Sequence, residues 1–393
     1  MNASALQELT AWLIEGAPSI TPVSLLSGTC ERLVAAGLPL WRVGAFVKTL
    51  HPDAFGRSFI WRQDAEIVIN TADFDFPDSL QFTQSPLALL YGGGQEVRYR
   101  LDDPATRRFP FFDDIRAEGV TDYVALPLLF TDGTTHATSW STRHPGGFTD
   151  EQLSALRTIV PPFARLGEIF ALRRTATTLL DTYVGNRAGE RIWAGEIRRG
   201  HAETMQAAIW LSDLRGFTAL SDRLAPEIVV DVLNQYFDCQ VPTIRQHGGE
   251  ILKFMGDGLL AVFPIAKDHG NSGEVCTRAL EAAREARANV DAMRYPSGEG
   301  AERFRFGVAL HIGGVLFGNI GGSSRLDFTC IGPAINLAAR LEKIAGRLSR
   351  TVVASEAFAG VCAEGWADLG EFPVAGFSKA ARVYGLAEET PVP

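Results

Sequence analysis

Residues 251–263 read Ile251-Leu252-Lys253-Phe254-Met255-Gly256-Asp257-Gly258-Leu259-Leu260-Ala261-Val262-Phe263. Two apolar runs, 251–255 and 259–263, flank a Gly-Asp-Gly turn, and this pattern predicts a β-hairpin. Upstream, Ala207-Ala208-Ile209-Trp210-Leu211 reads as a short buried strand. A helical region follows over 217–247, with Pro226 opening its second helix. Downstream come a helix over 272–293, a strand over 304–312 and an amphipathic helix over 334–344. The order β-α-β-β-α-β predicts an α+β fold built on a ferredoxin-like, split-βαβ sheet.

In such a sheet the first strand lies beside the hairpin. Asp213, just past the first strand, and Asp257, at the hairpin tip, are then expected to converge. Two convergent carboxylates are what a pair of Mg²⁺ ions bridging triphosphate oxygens requires. Taken singly, an Asp after a strand is usually a helix cap, and an Asp-Gly is usually a turn. Gly216 and the amides of Phe217 and Thr218, at a helix start, add a phosphate cradle. The chain contains no G-x-x-x-x-G-K-[ST], no G-x-S-x-G and no H-E-x-x-H. His247 and His311 stand alone and read as packing or surface residues, and the run 318–322 reads as a glycine turn.

Four blocks in order now carry a resemblance. They are Ser212-Asp213-Leu214-Arg215-Gly216-Phe217-Thr218, the hairpin at 252–263, Phe306-Gly307-Val308-Ala309-Leu310-His311-Ile312-Gly313, and the stretch 326–342 containing Thr329, Gly332, Asn336 and Arg340. Together they resemble the class III adenylyl/guanylyl cyclases over roughly 206–386. The resemblance implies a lyase that turns ATP into cyclic AMP and pyrophosphate, with two Mg²⁺ or Mn²⁺ ions per site. It implies that Asp213, Asp257 and the Leu214 carbonyl hold the metals. Lys253 matches the adenine-reading lysine, where a guanylyl cyclase typically has Glu. Thr329 matches the second base-reading position, which is Thr in the subgroup called IIIb, Asp in many adenylyl cyclases and Cys in guanylyl cyclases. Asn336 matches the ribose-positioning asparagine, Arg340 the arginine that steadies the transition state, and Arg305 a second triphosphate-binding arginine. In the family the metal aspartates and the base-reading and transition-state residues of one site come from different subunits, so a head-to-tail homodimer is implied. A guanylyl cyclase, or an inactive cyclase fold serving as a signalling module, are the alternatives.

Two positions depart from the family pattern. Pro333 stands where Asp often follows the glycine and reads as helix-starting. The family's C-terminal triphosphate lysine has no match beyond Lys379.

The N-terminal part reads as an α/β unit: helices over 5–14 and 23–36, strands over 41–50 and 59–61, then 123–130 and 136–143 around Asp132-Gly133. Pro127 predicts an edge strand or a bulge there. Thr149-Asp150-Glu151-Gln152 reads as a capping box opening a long helix. Ile169, Leu172, Ala176, Leu179 and Tyr183 follow a 3-4-3-4 spacing, which suits either a parallel coiled coil or packing within the domain. By element order the segment 20–170 resembles a GAF-type sensory domain, which implies a regulatory ligand or partner; a purely dimerising role is equally consistent. Its aromatic residues, Trp41, Trp61, Phe109, Phe112 and Trp140 among them, suit a core or a pocket lining. The expected division is 1–165 sensory, 166–205 helical linker and 206–393 catalytic.

Composition sets the remaining bounds. With 393 residues, two domains are the natural expectation. A net charge of −9 argues against a nucleic-acid binder. Five scattered cysteines without C-x-x-C spacing suit reduced thiols rather than zinc or disulfides. No basic n-region opens the chain and no run of 18 apolar residues occurs, so neither a signal peptide nor a membrane span is expected, and a cytoplasmic setting is.

Overall fold

The computed structural model of the protein describes residues 3–16, 20–103, 109–266, 270–297, 300–362 and 365–389. The chain forms two compact units, Met1–Leu179 and Leu180–Pro393.

The first unit opens with helices α1 (Ala3–Glu15) and α2 (Pro22–Ala35), followed by strands β1 (Arg42–His51), β2 (Ala54–Arg62) and β3 (Val68–Ala72). Two short helices, α3 (Leu80–Thr83) and α4 (Pro86–Tyr91), lead to β4 (Val97–Arg100), α5 (Phe111–Ala117), β5 (Asp122–Leu129), β6 (Thr135–Thr142) and the long helix α6 (Asp150–Val184). The strands form one antiparallel sheet in the order β3-β2-β1-β6-β5-β4. Side chains alternate across it, as the two-residue period of a strand requires. Val124, Leu126 and Leu128 pack with Leu13, Leu26, Leu156 and Phe163 from α1, α2 and α6. Tyr123 and Ala125 pack instead with Leu90, Phe112 and Ile115 from α4 and α5. A sheet covered on both faces explains why β5 reads as an unbroken apolar run.

The capping box is present: the Thr149 hydroxyl accepts from the Gln152 amide at 3.2 Å, and the Gln152 side chain accepts from the Thr149 amide at 3.0 Å. Trp140, Phe112, Trp61 and Phe109 are core. Pro127 needs a correction, because β5 is an interior strand, flanked by β4 and β6. The β4 ladder stops at Ala125, so the proline sits just beyond its end, where a missing N–H costs no hydrogen bond. Ile169, Leu172 and Tyr183 of the heptad seam are exposed in the single chain. Kinship to GAF-type domains rests on the sequence alone.

The second unit contains α7 (Asn186–Trp193), β7 (Ala202–Leu214), α8 (Phe217–Arg223), α9 (Pro226–Asp238), α10 (Val241–Gln246), β8 (Glu250–Met255), β9 (Gly258–Ile265) and α11 (Ser272–Ala292). A small ribbon, β10 (Arg294–Ser297) and β11 (Gly300–Arg303), precedes β12 (Phe306–Gly321), β13 (Leu326–Ile331) and α12 (Pro333–Arg347). The unit closes with β14 (Val352–Ser355), α13 (Glu356–Val361), β15 (Trp366–Phe372) and β16 (Ala381–Leu386). The sheet order is β15-β16-β14-β12-β7-β9-β8, with β13 paired to β12. Its central four strands, β12-β7-β9-β8, have the fourth, first, third and second strands of a split-βαβ motif side by side, the expected ferredoxin-like arrangement.

Strand β7 is apolar on both sides for the same reason as β5. Ala208 and Trp210 face Val232, Tyr236, Ala279 and Ala283, whereas Ala207, Ile209 and Leu211 join Phe317, Phe328, Ala334 and Ala338. The glycine run at 318–322 is not a turn. Gly318 to Gly321 continue β12 and pair with β13. A Cβ on Gly318 would stand 2.2 Å from the His201 carbonyl oxygen, so this glycine admits a close backbone approach rather than a reversal.

Asp122 ties the first sheet to the start of α6. It is fully buried, pairs with Arg98 at 2.8 Å and accepts from the Phe148 amide at 2.9 Å. Asp122→Ala leaves both donors unpaired and is expected to cost about 3–5 kcal/mol of stability in denaturant titration. A loss below ~1 kcal/mol would show that this joint does not hold the unit together.

Candidate active site

The carboxylates of Asp213 and Asp257 are brought together by the central ladder. Asp213 is the penultimate residue of β7 and pairs with Gly258 of β9 on one side and Gly307 of β12 on the other. Both cross-strand neighbours lack a side chain, and the room at Gly307 is taken by the Arg215 guanidinium. Asp257 sits in the two-residue turn between β8 and β9, and Gly256 before it adopts a left-handed φ of 68° that favours glycine. The two carboxyls lie within hydrogen-bond reach of each other. Partial burial first, then the charge of Asp257 and that of Glu342, push the Asp213 carboxyl up to about 7, while Arg215 opposes the shift.

Arg215 and Glu342 form a support beneath this pair. Glu342 on α12 is buried, and its carboxylate meets the Arg215 guanidinium at 2.5 Å; the Glu342 carbonyl accepts a second Arg215 donor at 3.2 Å. The guanidinium passes over Gly307 and Gly346. A Cβ at 307 would stand 1.7 Å from Nη2, and one at 346 would stand 2.9 Å from Nη1. Burial lifts the Glu342 carboxyl, and Arg215 pulls it back. Neither residue was singled out from sequence, although both fall inside the quoted blocks.

Other site candidates distribute as follows. Leu214 is buried and ends β7. Phe217 and Thr218 open α8 behind Gly216, which has φ 74° and contributes no side-chain cap. Arg305 is exposed at the same sheet end, and its carbonyl accepts from the Arg215 amide at 2.7 Å. Lys253 of β8 forms an ion pair with Asp327 of β13. Thr329 is two residues further along β13, so it shares that strand face with Asp327. Asp327 was overlooked in the sequence because a strand aspartate reads as solvent-facing. Asn336 and Arg340 are exposed and one helical turn apart on α12. Among the described residues, no hydrogen bond or ion pair joins them to the aspartates. Pro333 occupies the first turn of α12, and Lys379 is exposed between β15 and β16. His311 is buried and bonds the Ser355 hydroxyl at 2.7 Å, and His247 meets Glu285 at 3.1 Å.

The residues present fit a divalent cation. Two half-buried carboxylates repel one another, which a cation between them would relieve. Among the described residues no group of three or more His, Cys, Asp or Glu side chains is arranged to hold a metal ion, so further ligands at the aspartate pair would be backbone carbonyls, water or substrate.

Residues 201–378 match the family model described as the adenylate and guanylate cyclase catalytic domain. This part of the chain is a class III cyclase catalytic domain. Among its relatives is an adenylate cyclase of Anabaena cylindrica, 31% identical over 161 residues, covering 41% of this chain and 31% of that protein. Adenylate cyclase 1 of Rhizobium meliloti is 30% identical over 204 residues, covering 51% of this chain and 29% of the relative. The chain thus spans about a third of the length of these relatives. The crystal structure of the adenylyl cyclase CyaB from P. aeruginosa is 24% identical, with a TM-score of 0.40, over 48% of this chain and 97% of that one. No helix among the described residues is long and apolar enough to cross a membrane.

The raised Asp213 carboxyl has a consequence for stability. An aspartate whose folded pKa exceeds its unfolded value binds its proton more tightly when folded. Stability is therefore untouched below 3.8, falls as pH rises from there to about 7, and carries the full cost above that. Asp213→Asn is expected to raise the metal-free Tm at pH 8, by roughly 2–4 °C per kcal/mol relieved, and to match wild type near pH 4. An unchanged or lower Tm at pH 8 contradicts this electrostatic account.

Proposed function

We propose that the C-terminal unit is an adenylyl cyclase that converts ATP to 3′,5′-cyclic AMP and pyrophosphate in a head-to-tail homodimer. The observation that carries this reading is the convergence of Asp213 and Asp257 at the glycine-flanked end of β7. Bound there with the Leu214 carbonyl, two Mg²⁺ or Mn²⁺ ions would acidify the ribose 3′-hydroxyl and neutralise phosphate charge. Phe217 and Thr218, with their amides at a helix start, and Arg305 stand at the same sheet end and suit the triphosphate.

Base choice falls to Lys253 and Thr329. The ammonium donates to the adenine N1 acceptor, and the threonine hydroxyl accepts from the N6 amine. Guanine presents an N1–H donor and an O6 acceptor, which reverses both requirements. Asn336 and Arg340, exposed on α12 and free of links to the aspartates, suit a site completed by the partner subunit: Asn336 orients the ribose, and Arg340 balances charge developing at the α-phosphate. In related phosphoryl transfers such an arginine is worth about 10³-fold or more. Lys253 and Asp257, on one hairpin, would serve two different sites.

Purified protein incubated with ATP or GTP and Mg²⁺ or Mn²⁺ is expected to yield cyclic AMP, with less cyclic GMP. GTP turnover above ATP turnover removes the base assignment, and no product from either nucleotide removes the enzyme. Inactive Asp257→Ala and Asn336→Ala chains are expected to regain activity on mixing, since one composite site is intact. Well-folded mixed dimers that stay inactive refute shared sites.

Asp327 acts here as a positioning residue for Lys253. A hydrogen bond to a charged group is worth about 1.5–3 kcal/mol, so Asp327→Asn is expected to raise KM for ATP ~10-fold with kcat little changed. A loss confined to kcat would place Asp327 elsewhere in the reaction.

A further inference from the structure

The first unit contains a cavity of about 420 Å³ whose lining comes from α2, the β1–β2 hairpin, β5 and α6. Its interior is apolar: Leu25, Val47, Phe59, Leu128, Phe163 and Phe170 supply the walls. Its charged residues are all of one sign, namely Arg57, Arg173 and Arg174. None of the three arginines pairs with a carboxylate among the described residues, although ion pairs are common elsewhere in this unit, as at Arg98, Arg157 and Arg165. Arg57 lies directly opposite Val47 in the β1–β2 ladder, and Phe59 lies opposite Ala45, so these side chains share the cavity face of the sheet.

The α6 residues that line the cavity, 163, 167, 170, 171, 173, 174 and 177, occupy one broad helix face centred on 170 and 174. The exposed seam residues Leu172 and Tyr183 fall on the opposite face, offset from the centre of the lining set by roughly half a turn, and Ile169 lies between the two faces. One face of α6 therefore closes the cavity, and the other is unpartnered in the single chain. At position 167 the helix carries a glycine, where a Cβ would meet nothing within 4 Å. Glycine in a helix interior costs about 1 kcal/mol relative to alanine, and here it keeps the cavity open.

We propose that this cavity binds a small amphipathic anion, an aliphatic carboxylate whose chain lies between α2 and α6 and whose head meets Arg57 and Arg174. A cavity of this size is within the range of small-molecule sites. An apolar chain gains from leaving water, and a carboxylate is the group that a guanidinium recognises with paired donors. A neutral lipid leaves the cationic rim uncompensated, and a compact anion such as phosphate leaves the apolar walls unfilled. This inference concerns the N-terminal unit alone and stands apart from the cyclase reading.

Isothermal titration of the full-length chain with decanoate tests it, with 1-decanol and acetate as controls. Saturable decanoate binding is expected at one site per chain, at least tenfold tighter than either control. Arg57→Gln combined with Arg174→Gln is expected to bring decanoate down to the decanol level. Gly167→Leu, which fills the cavity without straining the helix, is expected to abolish binding while leaving the unliganded Tm unchanged or higher. Absence of decanoate binding to the wild-type chain overturns the proposal. So does binding that survives Gly167→Leu, which would place the ligand elsewhere. Equal binding of decanol and decanoate overturns the assignment of the arginines.

Discussion

The contact between the Asp213 and Asp257 carboxyls is unfavourable on its own terms, and much of the second unit is arranged to hold it. Two like charges in a partly desolvated place resist ionisation, which is why Asp213 titrates near neutrality. The ladder gives them no choice of distance, because β7 is paired on both sides and the hairpin turn is only two residues long. Gly307 makes room for the Arg215 guanidinium, and the Arg215–Glu342 pair anchors the strand end to α12. Strain of this kind is expected where a cation is to bind, since the same repulsion that destabilises the empty site favours the filled one.

Helix α12 belongs to the core and to the surface at once. Ala338, Leu341 and Ala345 are buried, and Glu342 reaches Arg215, so the helix cannot shift without disturbing the strand that carries Asp213. Asn336 and Arg340 project from its exposed side. In the proposed dimer that side belongs to the neighbouring subunit's site, which makes α12 the element through which each chain supports its own aspartates and completes its partner's chemistry. In the same proposal the Lys253–Asp327 pair plays a comparable part for the base, since it joins β8 to β13 on the face where Thr329 stands.

In the first unit, α6 has the same double character. It is a single helix from Asp150 to Val184, with one face packed over the sheet and the cavity and another carrying exposed Leu172 and Tyr183. Chain continuity alone makes it the covalent route from one unit to the next. What fills the cavity and what covers the seam therefore act on one continuous helix.

The sequence alone determined the order of elements, because the two-residue and 3.6-residue periods and the Gly-Asp-Gly turn are local signals. It also pointed to Asp213 and Asp257 through the expected sheet, and to Lys253, Thr329, Asn336 and Arg340 through the resemblance of their blocks to those of the adenylyl/guanylyl cyclases. It misread the glycines at 318–321, because the close approach of Gly318 to His201 depends on a segment more than a hundred residues away, and it read Pro127 without knowing where β4 would end. Arg215, Glu342 and Asp327 were beyond it for the same reason. An arginine after a strand, a glutamate in a helix and an aspartate in an edge strand have ordinary local readings. Only the folded chain decides which charge is desolvated and which partner it meets, because burial and pairing arise from contacts between distant segments.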